Sequence, residues 1–334
     1  MGKADAMRGK WGLFAHYLNS LQNNPAMPNS LGRGTSWEAC VEELDVEKLA
    51  EQVASTGASW FGLSMHQQSE HICAPNAVYE QETGLARGTA TTFRDLPTDL
   101  GLALRRRGVE LMLYHTGEGP VLNKQAGDAL GGIVKAQPIN DTYFDNWLEC
   151  LREDARRHAD VVRYWWIDGC YPAFAYTPER LLRVAAVFHE ECPNAAVALN
   201  YYGCGNNIHD CEDGVIRGDW FIDPAPAVPG EDYSAGETNL LGGLPDGWSV
   251  PQNDIVPLQP GAQWHVLTFL GKPADPRKVY EGWGAPGCKY AADWLKQYRS
   301  ELTARGGALT LDCCVRRDGT IDPEQLQLLR SIAE

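Results

Sequence analysis

The sequence has no run of about 18 apolar residues, the least that spans a bilayer. Its start lacks the apolar core of a signal peptide. Met1-Gly2 is no myristoylation start either, because Ala6 stands where Ser or Thr is needed. No membrane partner is expected, and the chain is read as cytoplasmic. Basic residues are also short: 29 Lys and Arg against 44 Asp and Glu leave a net charge of -15. That balance argues against nucleic acid or an anionic membrane surface as the main partner. No Pro/Gly/Ser linker, charge block or internal repeat divides the 334 residues. Residues 1–334 are therefore read as one domain, since barrels of about 250 residues routinely form one. The ten cysteines include no CxxC pair of the zinc type. A chain this long buries a core without staples, so reduced, buried thiols are expected. Cys204 and Cys211 could close a loop disulfide if the protein were exported. No HxH pair or HExxH helix is present, and neither a metal nor a cofactor is expected.

What is present is alternation. Strand-like and helix-like segments follow each other along the whole chain, the pattern of a parallel sheet with crossover helices. Expected strands are Gly12 to His16, Trp60 to Ser64, Glu110 to Tyr114, the run ending at Asp168, Ala196 to Tyr201, Asp219 to Asp223, Gln263 to Leu267 and Ala308 to Asp312. Expected helices include Asp45 to Ser55, where Leu44, Leu49 and Val53 are spaced for one buried face, and Pro178 to Glu191 after Thr177 as N-cap. Others are expected at Asp99 to Arg107, Phe144 to His158, Lys289 to Ala304 and Pro323 to Ala333. Eight strands so arranged make a single (β/α)8 TIM-like barrel with long βα loops.

The stretch Arg163-Tyr164-Trp165-Trp166-Ile167-Asp168-Gly169 carries the most chemistry. An apolar, aromatic run stops at a carboxylate, as a buried strand does when it delivers an acid to a barrel mouth. Asp-Gly is also a common turn pair, so a mere turn is the plain alternative. The other strand ends would bring His16, His66, His115, Tyr201 or Tyr202, Asp223 and His265 to the same rim. Together they describe a polar cup with aromatic walls, suited to sugar faces.

Several landmarks in order resemble the catalytic barrel of the α-L-fucosidases, glycoside hydrolase family 29. Lys10 to Tyr17 (Lys-Trp-Gly-Leu-Phe-Ala-His-Tyr) resembles the family's first-strand motif with its sugar-binding histidine. Gly57 to Trp60 followed by Ser64-Met65-His66-Gln67 resembles the approach to its paired histidines, and Trp166-Ile167-Asp168-Gly169 its Trp-Phe-Asp-Gly nucleophile motif. Gly306 to Asp312 and Asp318-Gly319-Thr320-Ile321 resemble its closing segment. The likeness runs from about residue 9 to 330. Departures are Gln67 for the second histidine, Tyr17 for a tryptophan, Tyr114-His115 where tyrosines are usual, and Trp264-His265 for Trp-Glu. The family's β-sandwich is absent from these residues.

The resemblance implies a retaining exo-glycoside hydrolase acting on a small carbohydrate or glycoside, with Asp168 as nucleophile. The acid/base is expected on the irregular stretch 223–253, with Glu237 first and Glu231 second; His265 or Asp223 could transfer the proton instead. Substrate contacts are expected from His16, Tyr17, His66, Gln67, His115, Trp166, Tyr201, His265 and Trp283. The departures make altered sugar specificity as natural an expectation as a true fucosidase. A homo-oligomer stays open by analogy with other soluble barrels. Two other readings compete: a catalytically inactive carbohydrate-binding barrel, and a metal-dependent hydrolase using some of His66, His71, His115, His209 and Asp210.

Overall fold

The computed structural model describes residues 2–132, 138–201, 228–239, 241, 261–275 and 278–333. Seven strands form one sheet: β1 (Trp11–Ala15), β2 (Trp60–Ser64), β3 (Glu110–Thr116), β4 (Val162–Asp168), β5 (Ala196–Leu199), β6 (His265–Phe269) and β7 (Ala308–Asp312). Their order is β5-β4-β3-β2-β1-β7-β6, and every pairing is parallel. The chain is thus an α/β protein with a curled parallel sheet of the TIM-barrel kind. The expected strand Asp219 to Asp223 lies outside the described residues. The one expected at Gln263 to Leu267 begins two residues later, at His265.

The edge strands β5 and β6 are joined through residues 231–238. On one side the backbone of this segment pairs in parallel with the β6 region, with bridges Tyr233 to Gln263 and Glu237 to Leu267. On the other, Asp232 N–H donates to the Val197 carbonyl at 2.8 Å. Side chains complete that joint: Asp232 Oδ2 accepts from Val197 N–H at 3.0 Å and Glu231 Oε1 from Leu199 N–H at 2.6 Å. Tyr233, Ala235 and Glu237 therefore alternate toward the interior as strand residues would.

Two apolar layers result. Inside, Phe14, Trp60, Met112, Tyr114, Tyr164, Trp166, Tyr233 and Leu267 pack with the small Ala196, Ala198 and Ala308. Large and small residues interlock there. A Cβ on Gly12 would stand 2.2 Å from Trp60 Nε1, and one on Gly62 would stand 2.4 Å from Phe14 Cδ2. Outside, Leu13, Leu63, Leu113, Trp165, Val197 and Leu309 meet the helices. The helix Val46–Ala54 buries Leu49 and Val53 and starts on Asp45, whose carboxylate accepts from Lys48 N–H. Pro178–Glu191 starts on Thr177, which accepts from Arg180 N–H. Asp141–His158 begins three residues before the expected Phe144, on an Asn140 cap. Leu96–Arg105 begins before the expected Asp99, on an Asp95 cap, and Ala292–Ala304 begins after the expected Lys289. Side-chain caps set the first two of these starts, and the apolar periodicity does not see them. All eight described cysteines are free thiols. Among the described residues no helix is long and apolar enough to cross a membrane.

Candidate active site

A cavity of about 340 Å³ opens where the C-terminal ends of the strands meet. Phe14, His16, Tyr114, Trp166, Leu267 and Trp283 wall it, and Asp168 and Glu237 supply its carboxylates. Gln67, Asn239 and Tyr280 stand at its polar edge.

Asp168 closes β4, and its inward direction follows from strand alternation through Tyr164 and Trp166. Its Oδ1 accepts from Tyr171 O–H at 2.6 Å, Asn200 Nδ2 at 2.8 Å and its neighbour's Gly169 N–H at 2.8 Å. Oδ2 accepts from Tyr114 O–H at 2.7 Å. Burial, and then the Asp168 charge, push the Tyr114 and Tyr171 phenols well above their ordinary range. Both therefore stay protonated and keep donating. Tyr114 also lies against Trp166, with ring centroids 5.4 Å apart and planes 16° from parallel. Gly169 must be glycine: its φ is +66°, and a Cβ there would fall on the Glu118 carboxylate.

Glu237 enters from the segment that joins the sheet edges, just before Thr238 N–H donates to Leu267 O. Asn200 Nδ2 donates to Glu237 Oε2 at 2.6 Å. One nitrogen thus reaches both carboxylates. The sum of its two bonds caps the distance between the bonded oxygens at about 5.4 Å, short of the roughly 6.5–9.5 Å at which inverting carboxyls stand.

On the opposite wall, His16 Nδ1 lies 3.1 Å from Asp312 Oδ1, and Asp312 Oδ2 accepts from Gly284 N–H at 2.6 Å. This fixes the His16 ring and the turn that carries Trp283 together. Trp283 meets His16 edge-on at 5.6 Å, and its indole N–H donates to Asn239 Oδ1 at 3.1 Å.

The structure brings six of the expected residues to this cavity: His16, Gln67, Trp166, Asp168, Glu237 and Trp283. It places the others elsewhere. Tyr17 points out from the sheet, donating to the Cys40 carbonyl with its hydroxyl buried. His66 and His115 stack at 5.2 Å behind the rim, bonded to Thr116 and Asp154 respectively. Burial lowers the His66 pKa well below the usual imidazole range, so it is neutral there. His265 sits deep in the interior against Thr310 and the Ser234 carbonyl, and burial brings its pKa to about 4. Tyr201 packs against the outer core. Glu231 is buried in the β5 joint, both oxygens accepting backbone N–H groups, from Leu199 and Val228. Burial raises its pKa against those bonds. Alternation explains two of these differences: His115 and Tyr17 are one residue past the inward-facing Tyr114 and His16. Asp223, Tyr202, His209, Asp210, Cys204 and Cys211 lie outside the described residues. His71, the remaining candidate metal ligand, lies 3.8 Å from Glu70. Among the described residues no three metal-ligating side chains cluster.

The sequence alone assigned no site role to Tyr114, Tyr171 or Asn200. Alternation back from Asp168, with the register that pairs Tyr114 to Trp166, locates Tyr114. The same rule run through Ala196 and Ala198 locates Asn200. Tyr171 has no such signal.

No family model matches the sequence, and no curated protein matches it. Solved structures do match over nearly its whole length. An endo-fucoidan hydrolase of glycoside hydrolase family 107 has a TM-score of 0.66 at 14% identity, over 99% of this chain and 53% of its own. The chain thus spans about half of that enzyme. A second family 107 endo-fucoidan hydrolase gives 0.65 at 15% identity, over 99% and 92%. The family 29 α-L-fucosidase of Bacteroides thetaiotaomicron gives 0.62 at 14% identity, over 99% and 72%, and has also been captured as a covalent intermediate with 2-fluoro-fucosyl fluoride. The chain has their fold. The resemblance to the fucosidase barrel read from the motifs thus holds in three dimensions.

Proposed function

We propose that this protein is a retaining exo-glycoside hydrolase of the α-L-fucosidase type, with Asp168 as nucleophile and Glu237 as acid/base. The observation that carries the reading is the Asn200 amide, which reaches both carboxylates and so holds their bonded oxygens closer together than inverting carboxyls stand. The covalent intermediate captured in the Bacteroides fucosidase supports it by analogy. Residues 1–334 are taken as one catalytic domain, with 231–238 as the barrel's remaining stave.

In the first step an Asp168 oxygen bonds to the anomeric carbon as the glycosidic bond breaks. Glu237 gives its proton to the departing oxygen. In the second step Glu237 takes a proton from water, whose oxygen bonds to the anomeric carbon and releases Asp168. Tyr114, Tyr171 and the Gly169 N–H hold the nucleophile in one orientation, so no reorganisation is needed as it attacks. His16, with Nδ1 committed to Asp312, has Nε2 left for a sugar hydroxyl. Trp283 and Trp166 offer faces for the ring. Gln67 in place of the family's histidine, with its amide bonded to Tyr114, makes altered sugar specificity part of the proposal.

A panel of 4-nitrophenyl glycosides, α-L-fucoside beside other L- and D-sugars, tests this when product anomers are followed by NMR. The substrate's anomer should form first. Inverted product would sink the retaining mechanism, and silence across the panel would favour a binding barrel.

A further inference from the structure

We propose that Asn200 is a positioning residue that couples the two carboxylates, fixing Glu237 over Asp168 and easing release of the Glu237 proton. The proposal rests on the assignment of those two acids above. Asn200 follows β5 directly, and its N–H donates to the Ile167 carbonyl at 2.7 Å, extending the β4–β5 ladder by one residue. It is 2% exposed. Its backbone is thus as fixed as the sheet, while Glu237 comes from a segment outside the seven-stranded ladder.

The chemistry of the side chain matches the task. A carboxamide nitrogen has two hydrogens and accepts nothing. One can serve Asp168 Oδ1 at 2.8 Å and the other Glu237 Oε2 at 2.6 Å; Tyr171 Oη, at 3.5 Å, is the distant third partner. Serine has one hydrogen and could hold only one acid. Aspartate would add a third carboxylate where two already meet. Isosteric leucine would leave both acids without this donor.

A donor aimed at a carboxylate favours its charged form. Asn200 therefore makes Glu237 give up its proton more readily, which the first chemical step requires. Without it the Glu237 proton should persist to higher pH, and the side chain should lose its fixed height above Asp168. Among the described residues, the titratable groups around the pair are Tyr171 and Asp168 from the end of β4, Tyr114 from β3, Glu118 behind Gly169, the His16–Asp312 pair from β1 and β7, and Tyr280 at the mouth. His265 lies beneath, on β6, and Lys289 bonds the Asn239 carbonyl beside the pocket. None of these is removed by a change at 200.

The test is the pH dependence of kcat and KM for wild type, Asn200→Ala and Asn200→Ser, on 4-nitrophenyl α-L-fucoside and methyl α-L-fucoside. In Asn200→Ala the basic limb should move up by about one pH unit, the tenfold change in proton affinity that one charge-assisted hydrogen bond supplies. kcat on the methyl glycoside should fall at least tenfold more than on the nitrophenyl one, with KM little changed. Asn200→Ser should lie between. Should the alanine variant fail to fold, the serine variant's limb shift decides alone. Unmoved limbs, or equal losses on both substrates, overturn the role of Asn200. Asp168→Asn and Glu237→Gln run alongside: if both keep wild-type rates, the assignment of the acids fails, whatever Asn200 does.

Discussion

Replacing Asp168 with asparagine should separate catalysis from folding. The carboxylate accepts four hydrogen bonds, three at Oδ1 and one at Oδ2. An amide can keep its oxygen in the Oδ1 place, holding Tyr171, Asn200 and Gly169. Its NH2 then faces only the Tyr114 hydroxyl, which already accepts from Gln67 Nε2, so the bond at Oδ2 is the one lost. The stability loss should stay near one hydrogen bond to a charged group, about 1.5–3 kcal/mol. The rate loss should be far larger, because an amide nitrogen whose lone pair is delocalised does not form the glycosyl-enzyme. A loss of at least a thousandfold in kcat is expected, about 4 kcal/mol at 1.36 kcal/mol per tenfold. Thermal unfolding and nitrophenyl glycoside hydrolysis on the same preparation read the two quantities. A folded Asp168→Asn protein retaining more than about a tenth of the wild-type rate, a cost of only about 1.4 kcal/mol, would remove Asp168 from the mechanism. Asp168→Gly adds a positive test. It leaves Tyr114, Tyr171 and Asn200 aimed at one emptied place, so azide should restore turnover and yield the glycosyl azide of inverted configuration.

Glu237→Ala should slow glycosides with poor leaving groups far more than nitrophenyl ones, since a nitrophenolate departs without a proton; equal losses would assign Glu237 to binding. Gly12→Ala should lower stability by about 1–3 kcal/mol in chemical denaturation, because the added methyl meets the Trp60 ring; an unchanged midpoint would show that the interior layer is loosely packed. His265 is held neutral, with a pKa near 4 instead of 6.5, so the unfolded chain binds more protons between those values and stability falls as pH drops from 6.5 to 4. Its share by pH 4.5 is about 2–3 kcal/mol, and His265→Gln should shrink the stability difference between pH 7 and 4.5 by that order; an unchanged difference would show that His265 does not titrate in this window.

The sheet was legible because fully buried parallel strands are short apolar runs. Trp60–Ser64, Ala308–Asp312 and the run to Asp168 show this with little ambiguity. Helix interiors were legible from Leu49 and Val53, but starts were not, since capping by Asp95 or Asn140 depends on one side chain's rotamer. At the rim the sequence names residue types near a strand end without saying which one turns inward. That choice depends on register between strands, which Tyr114 with Trp166 decides and Tyr114 alone does not. Asn200 was hidden more deeply. Its meaning appears only once residues 231–238, a distant part of the chain, lie beside β5.

The joint beside β5 has a consequence for motion. An amide bonded within a strand pair is freed only when a neighbouring backbone moves, and paired backbones move together. Val197 and Leu199 instead give their hydrogens to the Asp232 and Glu231 side chains. A rotamer change can release each one while every ladder stays intact. Amide exchange at these two positions should therefore report side-chain excursions, at a free energy below that of the β3 and β4 amides. A sheet edge fastened this way has a latch beside the cavity, and the latch can lift without the sheet coming apart.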